Sequence, residues 1–167
     1  SIKVPLIVAG PGVRRGAVEK RFVDHCDTFH TLLDLAGVEI SGAQRKAMNS
    51  PGRSYRPLLE GRELKWRASQ VCEYGNARML RNRFFKLVRR YGHHAQAFGD
   101  EFYDLTADPR ERYNVIDDMA YDHVVRDMSA DLDAFFAEYE EPERSGLRDG
   151  GPERSTDASP WLEPLDP

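Results

Sequence analysis

Apolar residues recur at helical spacing near the end of the chain, between positions 121 and 139. Their separations of three and four residues place them on one face of an α-helix of about five turns. Asp117 and Asp118 come just before this segment and suit the N-terminus of a helix. The apolar face consists of Tyr121, Val124, Val125, Met128, Leu132, Phe135, Phe136 and Tyr139. Such a face is stable only against a second layer, so the pattern predicts a helix packed on a sheet.

The stretch before this helix alternates between apolar and polar residues, which is typical of β-strands. Residues 78–91 predict a hairpin that turns at 82–83, and residues 70–74 and 101–105 predict further strands beside it. Residues 92–99 carry glycines at both ends and predict a loop. The pattern therefore predicts an antiparallel sheet with the long helix on one face.

Residues 4–9 form an almost uninterrupted apolar run that ends at Gly10. This pattern predicts a strand buried on both faces, as found inside parallel or mixed sheets flanked by helices. No other stretch of the chain suggests a parallel neighbour for it. An edge strand with Pro5 at its start is the alternative interpretation.

Residues 27–36 predict a short helix that Asp27 or Thr28 begins and Gly37 ends. Its apolar face consists of Phe29, Leu32, Leu33 and Ala36. Because the helix is short, packing rather than intrinsic propensity must hold it. Residues 38–57 are rich in turn-forming residues and predict a loop.

The charge of the chain argues against a general nucleic-acid binder, since the formal net charge is −4. The predicted hairpin is nevertheless basic, through Arg78, Arg81, Arg83, Lys86, Arg89 and Arg90. A basic sheet face is more often solvated surface than an anion site. No apolar run approaches the ~20 residues that cross a bilayer. The first residues show no charged-then-apolar signal pattern, which says little about the compartment because they resemble the middle of a longer sequence. The chain is expected to be soluble. Its cellular compartment is not determined by the sequence, and the cytoplasm is slightly favoured.

Residues that could carry chemistry do not assemble into a recognisable motif. Asp24, His25 and Asp27 could ligate a metal, but neighbours on an extended segment point to opposite faces. His93 and His94 are more often exposed polar residues than a base or a ligand. No G-x-S-x-G elbow and no phosphate-binding glycine loop is present.

The composition after residue 140 changes to glycine, proline, serine and charge. Residues 141–167 therefore predict an extended tail. Trp161 would anchor this tail on the chain itself or on a neighbouring subunit. In the second case the tail would mediate a homo-oligomer.

Several stretches in succession resemble the C-terminal part of the type I, formylglycine-dependent sulfatases of the alkaline-phosphatase superfamily. The segments that carry the resemblance are VPLIVAGPGV at 4–13, VDHCDTFHTLLDLAG at 23–37, GRS at 52–54 with PLL at 57–59 and Gly61, residues 78–87, and FYDLTADP at 102–109 with Glu111 and Asn114. His30 departs from the family, which commonly has proline there. The resemblance implies an α/β protein whose fragment here is α+β.

The same resemblance implies a division into three units. Residues 1–60 would end a large α/β domain, to whose sheet the strand at 4–9 would belong. Residues 61–140 would form a small C-terminal subdomain, an antiparallel sheet packed by the long helix. Residues 141–167 would be the tail.

The resemblance also implies chemistry that this chain does not carry. Sulfatases of this type use formylglycine made in a C/S-x-P-x-R motif and a calcium or magnesium ion held by Asp and Asn. Cys26 and Cys72 do not lie in such a motif. We therefore expect no catalytic or metal-binding residue here, and a chain that is inactive without a missing N-terminal catalytic part.

What this segment would add is a rim that faces a sulfate-ester substrate. The candidate rim residues are Glu73, Tyr74, Arg78, His93 and His94. A phosphonate monoester hydrolase or phosphodiesterase of the same superfamily is one alternative. A free-standing, non-catalytic binding module is the other. No nucleic-acid or membrane partner is expected.

Overall fold

The computed structural model describes residues 4–148 of the chain. Its helices are α1 (His25–Leu35), α2 (Gly42–Met48), α3 (Arg56–Leu59), α4 (Gly92–Phe98) and α5 (Asp122–Tyr139). Its strands are β1 (Ser69–Tyr74), β2 (Ala77–Asn82), β3 (Phe85–Arg90) and β4 (Glu101–Asp104). Short 3-10 helices cover Met119–Tyr121 and Gly146–Arg148. No helix in the described range is long and apolar enough to span a bilayer.

The four strands form one antiparallel sheet in the order β1-β2-β3-β4. The register aligns four apolar residues across the sheet: Val71 faces Leu80, Leu80 faces Leu87, and Leu87 faces Phe102. Cross-strand neighbours of this kind stabilise a sheet and fix its register. The predicted α+β architecture is confirmed.

Helix α5 covers the face of the sheet that carries this apolar row. Met128, Leu132 and Phe136 pack into the same core as Leu80, Leu87 and Phe102. Each fully buried side chain of this size contributes about 1.5–3 kcal/mol before chain entropy is subtracted. Asp118 accepts the Ala120 N–H and so caps the 3-10 helix in front of α5 rather than α5 itself.

The strand predicted for residues 4–9 is wrong for this structure, which has no strand there. Leu6 is 50% exposed and Ile7 is 91% exposed. A strand is held by hydrogen bonds to a neighbour, and no strand of the described sheet pairs with this segment.

Two predicted loops contain helices. Residues 92–98 form α4, which ends at Gly99 in the left-handed region, with φ of 66°. Residues 42–48 form α2, where Ser41 and Gln44 make a reciprocal capping box. The Ser41-x-x-Gln44 spacing is itself a helix-start signal, although the segment around it is rich in glycine and proline.

Helix α1 begins two residues earlier than predicted. Asp24 is its N-cap and accepts the Asp27 N–H, while the Asp27 carboxylate accepts the Asp24 N–H. Gly37 follows the helix with φ of 69°, as expected for a residue that ends one.

The chain after α5 runs beside the turn between β1 and β2. Residues 146–148 form a 3-10 helix in the first part of the predicted tail. A Cβ on Gly146 would lie 2.4 Å from the Gly75 carbonyl oxygen, so only glycine permits this close approach. Trp161 and the rest of the predicted tail lie outside the described residues.

Candidate functional site: a cleft beside the first strand

A cleft of about 360 Å³ lies where the start of α1, strand β1 and the end of α5 meet. The segment after α5, together with Asn49 and Pro51, supplies the rest of its lining. The lining residues that could take part in chemistry are Asp24, Cys26, Cys72, Glu73, Tyr139 and Glu140.

One wall of the cleft is built on a pair of carboxylates that Arg67 holds together. Arg67 donates to Asp24 Oδ2 at 2.9 Å and to Asp27 Oδ1. Gln70 Nε2 also donates to Asp24 Oδ2, at 2.7 Å, and the Arg53 N–H donates to Asp27 Oδ1 at 2.9 Å. Together with the capping box, these bonds give each of the four carboxylate oxygens a donor.

The two carboxyl groups differ in their proton affinity because Asp27 is fully buried. Burial raises the pKa of Asp27 above its usual value, although hydrogen bonds from the Arg53 and Asp24 backbones oppose this. Burial also acts to raise the pKa of Asp24, but hydrogen bonds from Asp27 and Gln70 and the charge of Arg67 hold it below the usual value.

This wall does not suit a divalent metal. Calcium and magnesium need carboxylate oxygens that are free to coordinate, whereas those of Asp24 and Asp27 are already hydrogen-bonded and face a guanidinium. Across residues 4–148 no group of three or more His, Cys, Asp and Glu is arranged to hold a metal ion.

Three residues of the cleft lining, Glu73, Glu140 and Ser145, are held by Arg78, which is only 6% exposed. Its Nε donates to Glu73 Oε1 at 2.9 Å, and its Nη2 donates to Glu140 and to Ser145 Oγ. Burial acts to lower the pKa of Arg78, but the bonds to Glu73 and Glu140 raise it above its usual value. The arginine thus ties β1, β2 and the segment after α5 into one unit.

The cysteines in the cleft are free thiols that are poorly suited to act as nucleophiles. Partial loss of solvation raises the pKa of Cys26, although the residue as a whole is exposed, and the carboxylates of Asp24 and Asp27 add to the effect. Burial, assisted by Glu73, also raises the pKa of Cys72. Both thiols are therefore protonated at neutral pH.

The structure brings two of the predicted rim residues, Glu73 and Arg78, into direct contact. Tyr74 lies next to them at the end of β1 and is 82% exposed. His94 lies on α4, edge-on to the Phe98 ring at 6.0 Å. The side chain of His93 lies outside the described part of the chain. That these residues face a substrate stays a prediction.

Sequence reasoning missed Arg67, the residue on which the carboxylate wall depends. It lies between α3 and β1 in a stretch without periodicity, so no sequence pattern marks it. Tyr139 was assigned only to the helix face, although it also lines the cleft.

Comparison with known proteins identifies the family. Residues 1–138 match the family model described as N-sulphoglucosamine sulphohydrolase, C-terminal. The chain belongs to this family. It is thus a C-terminal sulfatase portion, in agreement with the resemblance seen in the sequence.

Relatives and solved structures agree with this assignment. The Delta 4,5-hexuronate-2-O-sulfatase of Bacteroides thetaiotaomicron is 30% identical over 164 residues, which cover 89% of this chain and 31% of the relative. A multifunctional alkaline phosphatase superfamily protein, PehA of Trinickia caryophylli, is 30% identical over 146 residues, which cover 76% of this chain and 27% of that protein. The crystal structure of a putative sulfatase from Bacteroides thetaiotaomicron superposes with a TM-score of 0.59 at 28% identity, over 81% of this chain and 30% of the other. The chain therefore spans about a third of the length of these relatives.

Proposed function

We propose that the chain is the C-terminal part of a hydrolase of sulfate esters and has no turnover by itself. The family match over residues 1–138 supports the first half of this proposal. The second half rests on the cleft, where the cysteines are protonated thiols and the carboxylates are held by Arg67.

Formylglycine-dependent sulfatases draw a nucleophile from formylglycine and charge neutralisation of the sulfate from a bound calcium or magnesium ion. This chain fits neither group. Cys26 and Cys72 lack the C/S-x-P-x-R context, and no metal-binding cluster exists in residues 4–148. The nucleophile and the metal would lie in an upstream catalytic part of a longer polypeptide.

The contribution of this chain would be to contact the substrate beside that site. Glu73 is held in one orientation by Arg78, and the adjacent Tyr74 presents an exposed aromatic ring. A fixed carboxylate that accepts sugar hydroxyls and a ring that packs on a sugar face suit a sulfated carbohydrate. His94 belongs to the same proposed rim.

A turnover assay of the purified 167-residue chain tests the proposal. The chain, with calcium or magnesium, is given an aryl sulfate and a 2-O-sulfated unsaturated hexuronate, and no sulfate release is expected. Sulfate release that co-elutes with the chain on gel filtration would overturn the claim of inactivity. Sequencing the coding DNA upstream tests the other half, since a C/S-x-P-x-R motif in frame is expected there. A start codon or an unrelated domain would instead favour a binding module.

A phosphonate monoester or phosphodiester hydrolase is the second candidate, because PehA, which is 30% identical, is described as a multifunctional protein of the alkaline phosphatase superfamily. The two candidate activities are distinguished by comparing the kcat/KM of the longer polypeptide for a phenyl phosphonate monoester with its kcat/KM for the aryl sulfate. We expect the sulfate ester to be the better substrate.

A further inference from the structure

The face of the sheet that points away from α5 carries a row of four polar residues. The register places Arg81 directly across from Gln70 on one side and from Lys86 on the other, and Lys86 lies across from Tyr103. Each of the four is the sequence neighbour of a residue in the apolar row under α5, so its side chain points to the opposite face. We call these four residues the polar row.

Lys86 has a counter-charge within the described part of the chain, whereas Arg81 has none. Lys86 Nζ donates to Glu111 Oε2 and lies 5.6 Å from the centre of the Tyr103 ring. The Arg81 guanidinium makes no hydrogen bond or ion pair in residues 4–148, and its Nε is buried. Two cations opposite each other in a sheet repel, and a buried donor without an acceptor costs free energy. An anion bound beside Arg81 would remove both penalties.

The carboxylates that contact the polar row are already engaged by other cations. These ion pairs are Asp24 with Arg67, Glu101 with Arg90, and Glu111 with Lys86. The neutral members of the row are engaged as well, because Gln70 Nε2 donates to Asp24 and the Tyr103 hydroxyl donates to Glu101. Among these neighbours no acceptor is left for Arg81.

The turn that follows Arg81 adds an aromatic ring and a second cation. Phe84 is 52% exposed, and the exposed Arg83 places its guanidinium 5.7 Å from the centre of the Phe84 ring. An exposed ring can pack on the face of a sugar, while a guanidinium binds an acidic substituent of that sugar. This end of the sheet therefore suits an anionic carbohydrate better than an isolated small anion.

We propose that Arg81 is the centre of a binding site for the sulfate group of a sulfated sugar. The guanidinium presents parallel N–H donors that match two oxygens of one sulfate, and Lys86 has two N–H groups beyond the one that it gives to Glu111. The need for an anion follows from the unpaired Arg81. The choice of a sulfated sugar rests on the proposed function.

Isothermal titration calorimetry of the 167-residue chain in 150 mM NaCl tests the site, with a 2-O-sulfated unsaturated hexuronate as the probe. Arg81→Gln should raise the Kd by roughly tenfold or more, as expected for the loss of hydrogen bonds to a charged group. Arg81→Lys keeps the charge but loses the planar donor pair, so its Kd should lie between the two. Arg126→Gln, at an exposed arginine on α5, is the matched control and should change the Kd less than about twofold.

Equal Kd values for the wild type and Arg81→Gln would overturn the proposal. Equal losses in Arg81→Gln and Arg126→Gln would do so too, since the probe would then respond to overall charge. Without the probe, Arg81→Gln should not lower the thermal midpoint. A lower midpoint would mean that another group of the chain already pairs with Arg81, and the site would not exist.

Inorganic sulfate, titrated in parallel, distinguishes a sugar from a free anion. The sulfated sugar should bind more tightly than sulfate, and Phe84→Ser should weaken the binding of the sugar alone. Equal Kd values for the two probes, unaffected by Phe84→Ser, would refute the sugar as the ligand.

The longer polypeptide encoded by the gene provides the last test. Phenylglyoxal labelling followed by mass spectrometry should modify Arg81 there, and the sulfated sugar should slow the reaction. An Arg81 that stays unlabelled would show that this face of the sheet is covered, and would overturn the proposal. Turnover of the aryl sulfate is measured separately on the same polypeptide. Specific binding at Arg81 without turnover would refute the proposed function alone, and turnover without binding at Arg81 would refute this site alone.

Discussion

The guanidinium of Arg78 lies 3.7 Å from the centre of the Phe136 ring and forms ion pairs with two glutamates. Glu73 comes from β1, and Glu140 follows α5. The cation therefore joins the sheet to the helix through an aromatic face and two carboxylates at once. Its loss would leave two negative charges beside each other at the edge of the core.

Replacing Arg78 by methionine, which retains most of the aliphatic packing, should lower the free energy of unfolding by about 2–4 kcal/mol. Removing one partner from a buried charge pair costs more than the pair itself contributes, because the other charges are left uncompensated. The side chains of Glu73 and Glu140 are 25% and 29% exposed, which moderates the loss. Urea unfolding followed by circular dichroism measures it.

Arg89→Met is the matched control for this prediction. Arg89 lies directly across from Arg78 in the register, and its ion pair with Asp133 is solvent-exposed. Exposed pairs contribute about 0–1 kcal/mol, so a small change is expected. Equal losses in the two variants would refute the bridging role of Arg78.

Two glycines outside the sheet should respond to alanine in opposite directions. A Cβ on Gly52 would lie 2.4 Å from the Cys26 carbonyl oxygen and 2.6 Å from the His30 ring, so Gly52→Ala should cost about 1–3 kcal/mol. A Cβ on Gly42 would meet nothing within 4 Å, and Gly42 lies in α2. Gly42→Ala should therefore stabilise by about 0.5–1 kcal/mol. Thermal unfolding of both variants checks the signs, and a stabilising Gly52→Ala would contradict the close packing of α1.

The long helix and its sheet were predictable because their patterns reflect one repeated requirement, the burial of a single face. The periodicity from Tyr121 to Tyr139 and the alternation around Leu80 and Leu87 both follow from that rule. Short helices such as α2 and α4 could not be predicted in this way, because seven residues make only about two turns and show no clear period.

In helix α1 the apolar pattern predicts the wrong side of the helix as the buried one. Its apolar residues predicted an inward face at Phe29 and Leu32, yet the polar residues Asp27 and Thr31 are the buried ones. The carboxylate wall was equally unpredictable, because Arg67 reaches Asp27 across 40 positions of sequence. A local pattern shows which residues share one face of a helix, but not which distant parts of the chain cover that face.

Truncation of Leu132 tests the core that α5 forms with the sheet. Leu132 is 0% exposed and packs into the core with Leu87 and Phe102, so Leu132→Ala should cost about 2–5 kcal/mol. Asp131→Ala, one position earlier on the exposed side of the helix, should change stability by less than about 0.5 kcal/mol. Chemical denaturation of both variants measures the difference. A cost near zero for Leu132→Ala would contradict the packing of α5 against the sheet.

His30 should make the stability of the chain fall in mild acid. The side chain is 3% exposed, its Nε2 lies 3.3 Å from Ser50 Oγ, and its Nδ1 has no hydrogen-bond partner among the described residues. Burial, with the nearby charge of Arg45, lowers the pKa of His30 below 6.5, while Asp27 opposes this. The folded state therefore keeps the ring neutral at a pH where the unfolded chain takes up a proton.

The sign of the effect follows from proton linkage. Below pH 6.5 the unfolded state binds more protons than the folded state, so the free energy of unfolding decreases as the pH falls. One such group gives a slope of at most about 1.4 kcal/mol per pH unit. From about one pH unit above 6.5 both states hold His30 neutral, and its contribution becomes constant. Urea unfolding at pH 7.5, 6.5 and 5.5 should show this profile.

His30→Gln isolates the contribution, because glutamine can still reach Ser50 and does not titrate. The other histidines and all carboxyl groups are common to both proteins, so their effects cancel in the difference between the two pH profiles. The wild type should lose more stability than the variant between pH 6.5 and 5.5. Parallel profiles would show that His30 takes up its proton equally in the folded and unfolded states, and the buried, neutral ring inferred from its packing would then be wrong.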